Sequence, residues 1–493
     1  MTFNFLNETR TITNAHDWDA PLIDKLWLYN LHYFNIPGLK ADGGSPSEWY
    51  REWMIRWMAE NPVGQGTGWE PYPTSLRIVN WIKWVLSGQE LPSECLASLA
   101  VSARWLTDRM EVHLSGNHLF SNAKALVFAG LFFEGREAQG WLDKGLRILE
   151  VEVHEQILHD GGQYERSPMY HALALEDMLD LYNVTIAFAD DSPPHWRGEI
   201  QGWPDIIGHM RQWLAMMCHP DGEIGFFNDA SFGIAPSFSE LEDYAGRLGF
   251  LPLPKLQEGI SVLKESGYIR LEKGPMTALL DIAVLGPDHQ PGHGHADTLS
   301  FEMSLFKQRV IVNSGVSCYG LSPERLRQRG TAAHSTVIID GKDSSEVWGG
   351  FRVARRARPK VLEIDTAPDL LKVTASHDGY IRLAGRNIHQ RTWRAGKGCF
   401  EVEDEISGFC RERQARFHLH PLVKIDQISI NGNAAELEIP HGKKVSVIIE
   451  GGTLAQEPSS WHPGFGLSEP SHCLVVHMKD NAIRTFFKWR TDC

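Results

Sequence analysis

The sequence is poor in cysteine and in positive charge. Its seven cysteines are scattered over 493 residues, odd in number, and form no C-x-x-C pair, which argues against a disulfide framework or a structural zinc cluster. The 48 Lys and Arg are outnumbered by 62 Asp and Glu, giving a net charge of −14. Since general nucleic-acid binders carry a basic excess, we expect no nucleic-acid partner.

Long apolar runs and export signals are also missing. The longest apolar run, residues 125–133, is far shorter than the roughly 18–20 residues that a membrane-spanning helix needs. The N-terminal segment has no basic stretch followed by an apolar one, as a signal peptide would. These features predict a protein without a membrane span in a reducing compartment, the cytoplasm, with a periplasmic location left open.

The chain is too long for one ordinary core, and its pattern changes near residue 255. Before this point, apolar residues recur at helical spacing, for example Trp49, Trp53 and Trp57. Leu251-Pro-Leu-Pro254 cannot continue a helix, because its two prolines lack backbone N–H groups. The helices must bury their faces against one another, as in a bundle or an α/α ring.

After this point, short apolar runs alternate with turn residues, which predicts antiparallel strands in a sandwich. The runs are residues 268–271, 276–284, 309–312, 336–339 and 444–449. Asp340-Gly341 and Asn431-Gly432 are typical of hairpin turns. The sequence therefore predicts an α+β multidomain chain, with a helical domain over residues 1–255 and an antiparallel β-sandwich over residues 256–493.

The densest polar cluster is Gly292-His-Gly-His-Ala-Asp297. On an extended segment His293, His295 and Asp297 project to one face, where they could bind a metal or hold a base beside it. His334 precedes a predicted strand and could complete the site, and Asn313 ends an apolar strand. The alternative is a turn with ordinary solvated histidines.

Two further clusters lie at predicted helix starts. Asn117 and His118 precede an apolar helical run, so their polar groups could face an anion, although the segment could equally be a plain helix cap. Ser167 before Pro168 fits an N-cap and places Tyr170 in the first turn, where the helix dipole slightly favours the phenolate. Tyr170 could be a general acid or base, or a hydrogen-bonded packing residue.

Basic residues concentrate in segments 324–329 and 351–358, which include Arg352. Such runs could recognise carboxylates or sulfates, or could be a solvated face. Most Trp residues at helical spacing are expected in the core. Trp69, in a glycine-rich loop, is the better candidate for a cleft wall.

In this order, the clusters resemble the heparinase II/III family of polysaccharide lyases and its alginate-lyase relatives. The resemblance rests on segments 27–34 and 70–78, on Asn117-His118, on Ser-Pro-Met-Tyr170-His171, on His293-Gly-His295-Ala-Asp297 and on Ala-His334-Ser. The first segment is most similar to members associated with bacterial capsule or exopolysaccharide production. The resemblance implies an incomplete (α/α) toroid followed by a β-sandwich, no organic cofactor, and an acidic polysaccharide or oligosaccharide as partner.

The resemblance also implies β-elimination at a uronic acid. Asn117 would neutralise the substrate carboxylate with help from His118, Tyr170 would be base, acid or both, and His293 would be the base for the other epimer. A phenol with an ordinary pKa near about 10 needs nearby positive charge to act as a base at neutral pH. Further substrate contacts are expected from Tyr29, His32, Trp69, Glu165, Arg166 and Arg352.

A zinc ion, present in some relatives, would be held here by His295, Asn313 and His334. The relatives usually have Asp where this chain has Asn313, and a neutral amide should weaken zinc binding.

Two other functions stay open. A hydrolase could use zinc or a carboxylate pair such as Glu165 and Asp229, although Thr298 stands where metallo-β-lactamase-type hydrolases have a histidine. A catalytically lapsed polysaccharide-binding protein would keep the groove without the reaction.

Overall fold

The computed structural model describes residues 1–35, 46–189 and 196–490. The chain divides into two compact units, one formed by Met1–Gln156 with Glu176–Ile207 and the other by Ile157–Leu175 with Gly208–Cys493. No helix within the described ranges combines the length and apolarity needed to cross a membrane.

Helices dominate the chain up to residue 247, as the apolar spacing predicts. They are α1 (Lys25–Tyr33), α2 (Pro46–Glu60), α3 (Pro71–Leu86), α4 (Ser93–Thr107), α5 (Gly116–Phe132), α6 (Arg136–Gln156), α7 (Pro168–Ala187), α8 (Arg197–Met217) and α9 (Phe238–Arg247). A tenth helix, α10 (Pro323–Arg329), lies among the later strands. In α2 the tryptophan stripe faces inward, with Trp53 and Trp57 fully buried.

The N-terminus forms a small hairpin that the sequence pattern did not predict. Strands β1 (Thr2–Phe5) and β2 (Glu8–Thr11) are joined by Leu6 and Asn7, whose φ angles are 55° and 61°. The buried Phe3 packs on Trp53, with ring centroids 4.9 Å apart. A four-residue strand with one buried apolar side chain shows too little alternation to be recognised from sequence alone.

Antiparallel sheets follow Gly259, and every predicted strand segment overlaps an observed strand. The strands are β3 (Gly259–Leu263), β4 (Tyr268–Lys273), β5 (Met276–Asp281), β6 (Phe301–Leu305), β7 (Gln308–Ile311), β8 (Val337–Ile339), β9 (Val347–Trp348), β10 (Arg352–Val353), β11 (Pro359–Ala367), β12 (Leu370–His377), β13 (His389–Gly396), β14 (Cys399–Ile406), β15 (Arg413–His418), β16 (Lys424–Ile428), β17 (Ala434–Ile439), β18 (Lys443–Glu450), β19 (Gly452–Trp461), β20 (Glu469–Met478) and β21 (Ala482–Trp489). The helical part followed by antiparallel sheets is thus confirmed.

The strands form three larger sheets around one apolar core. The orders are β3-β4-β5-β6-β7, then β19-β20-β15-β8, and β11-β12-β13-β14-β21-β18-β17-β16. Phe301 from the first sheet, Phe417 from the second and Phe400 from the third share this core and are fully buried. Because their inner faces are apolar, the sheets bury them against one another, and polar side chains concentrate in the connecting segments.

Candidate active site

The start of α7 positions Tyr170 in the second unit. Arg166 has a φ angle of 62°, a left-handed conformation that few non-glycine residues adopt, and it turns the chain into the helix. Ser167 Oγ accepts a hydrogen bond of 3.2 Å from the Tyr170 amide, and Pro168 is the first helical residue. The predicted helix start is confirmed, and Tyr170 lies in its first turn.

Tyr170 is held between two other aromatic side chains. Its hydroxyl lies 2.9 Å from that of Tyr319, and its ring stacks on His293 with centroids 4.0 Å apart and planes inclined by 16°. Burial raises the pKa of Tyr170 well above its ordinary value, and Tyr319 and Asp229 raise it further. The small dipole effect expected from sequence is therefore outweighed by desolvation, and Tyr170 is a protonated phenol at neutral pH.

His293 is fixed by a buried carboxylate. Its Nδ1 lies 2.5 Å from Glu165 Oε2, and the Glu165 side chain is 1% exposed while that of His293 is 14% exposed. In the tautomer whose Nδ1–H donates to this carboxylate, the lone pair of the imidazole lies on Nε2. Glu165, predicted to contact substrate, instead orients the imidazole.

Behind these residues lies a fully buried ion pair. Arg325 donates to both carboxylate oxygens of Asp229, and His295 Nε2 lies 2.8 Å from Asp229 Oδ1. Burial opposes ionisation of Asp229, but Arg325 and His295 reverse this and hold the pKa of the carboxyl far below its usual range. The guanidinium also lies over the Tyr319 ring, 4.9 Å from its centroid.

Three buried side chains could hold a metal ion. His295, Asp297 and His334 each offer one ligand atom, and these atoms all lie within 4.8 Å of one another. His295 Nδ1 and His334 Nε2 are 3.3 Å apart. Because Asp229 occupies His295 Nε2, the neutral ring turns its Nδ1 lone pair toward His334, which suits a cation such as zinc.

Asn313, predicted as a zinc ligand, lies close by, but its amide is engaged in other contacts. Its Nδ2 donates to the Phe226 carbonyl at 2.9 Å and to Ser300 Oγ at 3.3 Å, and its Oδ1 accepts from the Ser335 amide at 3.1 Å. Asp297 therefore supplies the carboxylate of this cluster, two positions after His295. The alternating spacing of His293, His295 and Asp297 was the sequence signal for it.

In the first unit, α5 carries Asn117 and His118 in its first turn, as predicted. His118 Nδ1 lies 3.0 Å from Glu111 Oε1, and its ring stacks on Tyr72 with centroids 4.3 Å apart. Asn117 Oδ1 is buried and makes no hydrogen bond to any described residue. The Asn117 side chain does hydrogen-bond to Tyr72, so it is the carbonyl oxygen alone that lacks the partner which buried polar atoms normally have.

Three predicted substrate contacts in the first unit have structural partners. His32 is fully buried, with Nε2 on the Trp18 carbonyl and Nδ1 accepting from Trp57 Nε1. Trp69 is 3% exposed and packs on Trp57, so it lies in the core and forms no cleft wall. Tyr29 is half-buried and donates to Glu70 at 2.5 Å.

The arginine segments divide into buried and exposed members. Arg325 and Arg329 are fully buried and serve internal carboxylate or carbonyl groups, and the more exposed Arg327 is paired with Glu324. The guanidinium groups of segment 324–329, for which both anion recognition and a solvated face were open, are thus engaged within the protein. Arg166 likewise donates hydrogen bonds within the protein, to the carbonyls of Ser266 and Tyr164. Arg352 is exposed, as a substrate-binding arginine should be.

Tyr319 and Arg325 are the site residues that the sequence pattern did not reveal. Tyr319 lies between β7 and α10 in a stretch without regular structure, where no periodicity marks it. In the sequence, Arg325 belongs to a run of arginines that is typical of a protein surface. Its buried partner Asp229 lies 96 positions earlier. The sequence signal for this pair is weak, because Asp229 stands out in the sequence only as a possible carboxylate partner of Glu165.

Comparison with known proteins gives the family to which this chain of helices and antiparallel sheets belongs. Two family models match the chain, Heparinase II/III N-terminus over residues 45–245 and Heparinase II/III-like, C-terminal over residues 256–490. Together they cover most of the sequence. The chain belongs to the heparinase II/III family.

Individual relatives in this family carry the name heparin-sulfate lyase. One from Bacteroides thetaiotaomicron is 32% identical over 425 residues, covering 76% of this chain and 58% of that protein. Another from Pedobacter heparinus is 22% identical over 372 residues, covering 67% of this chain and 54% of that protein. The chain thus spans less than two thirds of the length of these relatives.

Solved structures share the fold at low sequence identity. A heparinase III structure has a TM-score of 0.75 at 17% identity, covering 99% of this chain and 80% of that one. A heparan sulfate lyase from Pedobacter heparinus has a TM-score of 0.64 at 18% identity, with the same coverage of 99% and 80%. A chondroitinase AC lyase has a TM-score of 0.52 at 11% identity, covering 94% and 75%.

Proposed function

We propose that the protein is a polysaccharide lyase that cleaves a uronic-acid-containing acidic polysaccharide by β-elimination. The single observation that carries this proposal is the stack of a protonated phenol, Tyr170, on an imidazole, His293, whose Nδ1 is held by the buried Glu165. The stack joins a proton donor and a proton acceptor side by side, and elimination needs both. Relatives named heparin-sulfate lyase support the uronate substrate class.

In the proposed reaction, His293 Nε2 removes the proton on C5 of the uronic acid. Negative charge then spreads onto the C6 carboxylate, the bond between C4 and O4 breaks, and a C4–C5 double bond forms. Tyr170 donates its proton to the departing O4, and Tyr319 holds the phenol through the 2.9 Å contact between hydroxyls. Proton uptake and release balance, so no oxidant or co-substrate is required.

The proposal assigns neutralisation of the carboxylate to Asn117 and His118. A C–H beside a carboxylate is a very weak acid, so donors must stabilise the charge that develops there. The place of Asn117 in the N-terminal turn of α5 supports this role, and so does its Oδ1, which has no hydrogen-bond partner among the described residues: rotating the carboxamide would turn its N–H groups to the substrate. The proposal also takes the helices to form an incomplete (α/α) toroid and the sheets a β-sandwich.

Zinc is a further part of the proposal, held by His295, His334 and Asp297. A bound zinc would tie together the loops that carry these residues and needs no part in the reaction. Elemental analysis of purified protein should find zinc, and Asp297→Asn should lower its content while Asp288→Asn, at a 78% exposed side chain, leaves it unchanged. Equal zinc content in the wild type and Asp297→Asn would remove Asp297 from the site.

A hydrolase is disfavoured by the contacts of its candidate carboxylates. Glu165 is bound to His293, and Asp229 is bound to Arg325 and His295. A hydrolytic pair needs one protonated acid and one free carboxylate across the cleft. Neither group is available for that role.

An assay of the unsaturated product tests the proposal. Heparan sulfate, alginate and other uronate polysaccharides are incubated with the protein, and the ultraviolet absorbance of the C4–C5 double bond is followed. Tyr170→Phe should lower the rate at least about hundredfold, since the proton donor is lost. Tyr244→Phe, half-buried on α9, is the matched control. New reducing ends without absorbance would indicate hydrolysis, and binding without cleavage a lapsed enzyme.

A further inference from the structure

The hairpin formed by β9 and β10 presents an exposed tryptophan beside an arginine. Trp348 and Arg352 are register partners, so their side chains lie on the same face of the hairpin. Trp348 is 56% exposed, and the Arg352 guanidinium carbon lies 6.0 Å from the centroid of its ring. The hairpin thus presents a flat apolar ring and a positive charge together on one exposed face.

The tip of this hairpin is fixed to the loop that carries His293. Arg325 Nε and an Arg329 amino group both donate to the Gly350 carbonyl at 3.1 Å. Arg329 also donates twice to the Gly294 carbonyl, at 3.1 and 2.9 Å. One buried guanidinium therefore joins the hairpin tip to the catalytic loop and holds Trp348 in a defined position.

Phe351 connects the hairpin with the catalytic side chains. Its ring centroid lies 5.4 Å from that of Tyr319 and 6.0 Å from that of His293. Phe351, the residue before Arg352, therefore brings the hairpin tip next to the side chains proposed to act on the substrate.

Arg352 differs from its neighbours in having no carboxylate partner among the residues that the structure describes. Arg355 is paired with Glu346, and Arg356 with Asp288 at 2.9 Å. An exposed guanidinium binds a carboxylate or a sulfate in bidentate fashion, while a flat indole face packs on the C–H face of a sugar ring. The two side chains thus match the two parts of an acidic sugar.

We propose that Trp348 and Arg352 form a subsite for an acidic sugar next to the one that is cleaved. The indole stacks on the ring of this sugar, and Arg352 binds its carboxylate or sulfate. The inference rests on the proposed lyase function for the place of the subsite along the polysaccharide. The binding chemistry itself depends only on the exposed pair.

Calorimetric titration of the full chain with hexasaccharides of heparan sulfate and of alginate tests the subsite. Trp348→Ala and Arg352→Ala should each weaken binding about tenfold. The control variants Phe409→Ala and Arg411→Ala, which change an exposed aromatic and an exposed arginine on another loop, should bind as the wild type does. A loss in Arg352→Ala confined to heparan sulfate assigns a sulfate, and a loss for both hexasaccharides assigns the carboxylate.

Steady-state rates separate this subsite from the reaction itself. On polymer, both variants should raise KM about tenfold and leave kcat unchanged, while the shortest cleavable oligosaccharide should show no change in KM. Unaltered affinity and KM in both variants overturn the subsite while leaving the lyase in place, as does a wild type that binds neither hexasaccharide. Weakened binding in variants of a protein that forms no unsaturated product supports the subsite and overturns the lyase.

Discussion

At the scale of single residues, the site depends on how Glu165 orients His293. A carboxylate that is 1% exposed and 2.5 Å from Nδ1 fixes both the tautomer and the direction of the ring. In the proposed reaction it also stabilises the imidazolium that would form when Nε2 takes a proton, as the carboxylate does in a Ser-His-Asp triad. Glu165 is thus a positioning residue whose effect passes through His293.

Replacing this carboxylate by an amide tests that role. Glu165→Gln keeps the size of the side chain but removes the charge that stabilises the imidazolium, so kcat should fall by about 10²- to 10⁴-fold with little change in KM. Initial rates of double-bond formation measure both parameters. Glu258→Gln, at a 60% exposed side chain, is the control. An unchanged kcat in Glu165→Gln would contradict the assignment of His293 as base.

Single residues were predictable where a local signal marked them. The Ser167-Pro168 helix start predicted the position of Tyr170, and the run after Asn117 predicted its place in the first turn of α5. His32 and Trp69 were predicted to contact substrate but are buried in the core. The same residue types occur in cores and in binding clefts, so the sequence does not distinguish the two. Only the contacts of folded side chains distinguish the two environments.

At the scale of elements, strand β13 braces the loops of the site. Arg391 is fully buried, pairs with Asp404 through two contacts of 2.7 and 3.0 Å, and donates to the carbonyls of Leu299 and Ser335. Burial alone would raise the pKa of Asp404, but Arg391 and His389 outweigh it and lower the pKa to about 2. The ion pair therefore fixes backbone next to both Asp297 and His334.

Two substitutions on this one strand compare a buried pair with a surface pair. Arg391→Met leaves Asp404 buried without its cation, and the free energy of unfolding should fall by about 3–5 kcal/mol. Arg394→Met removes a partly exposed pair with Glu401 and Glu403 and should cost less than about 1 kcal/mol. Urea denaturation followed by circular dichroism measures both. Equal losses would show that the Arg391 brace is no stronger than a surface contact.

Elements were predictable in proportion to their length and periodicity. The helices with tryptophan stripes and strands such as β4 and β18 follow the predicted segments closely. The two-residue strands β9 and β10 carry no periodic signal, and their position depends on Arg325 and Arg329 reaching them from α10. A contact between separate segments cannot be derived from either segment alone.

At the scale of the whole molecule, the chain carries 22 histidines against a net charge of −14. Several of these histidines are buried in the neutral form. Burial lowers the pKa of His32 and His418 to about 3, and that of His171 to about 4. These three histidines thus belong to the fold rather than to a polyanion-binding groove, and the proposed attraction of an acidic substrate is left to exposed cations such as Arg352.

The buried histidines make stability fall as the medium becomes acidic. Between about pH 6.5 and pH 4 the unfolded chain binds protons at these rings and the folded chain does not. Each ring therefore lowers the free energy of unfolding by about 1.4 kcal/mol for each unit by which the pH falls. Denaturation curves at pH 7, 6, 5 and 4 measure the slope. His32→Gln should reduce that slope by the contribution of one ring, about 1.4 kcal/mol per pH unit. His113→Gln, which changes an exposed histidine, should leave the slope unchanged. A slope that His32→Gln leaves unaltered would contradict this account.

The overall organisation was the most predictable property of the chain. The loss of helical spacing and the two prolines before Lys255 predicted where strands begin, and the first strand of the large sheets starts at Gly259. The assembly of the buried Asp229–Arg325–His295 network was not predictable, because three distant segments supply it.

The central claim is that the protein breaks a C–O bond by elimination and adds no water. The most direct measurement is mass spectrometry of the products formed in water labelled with heavy oxygen. The account predicts unsaturated products that gain no labelled oxygen from cleavage. The C4–O4 bond breaks, O4 stays on the departing sugar, and a double bond forms between C4 and C5. Saturated products with one labelled oxygen for each bond cut would contradict it.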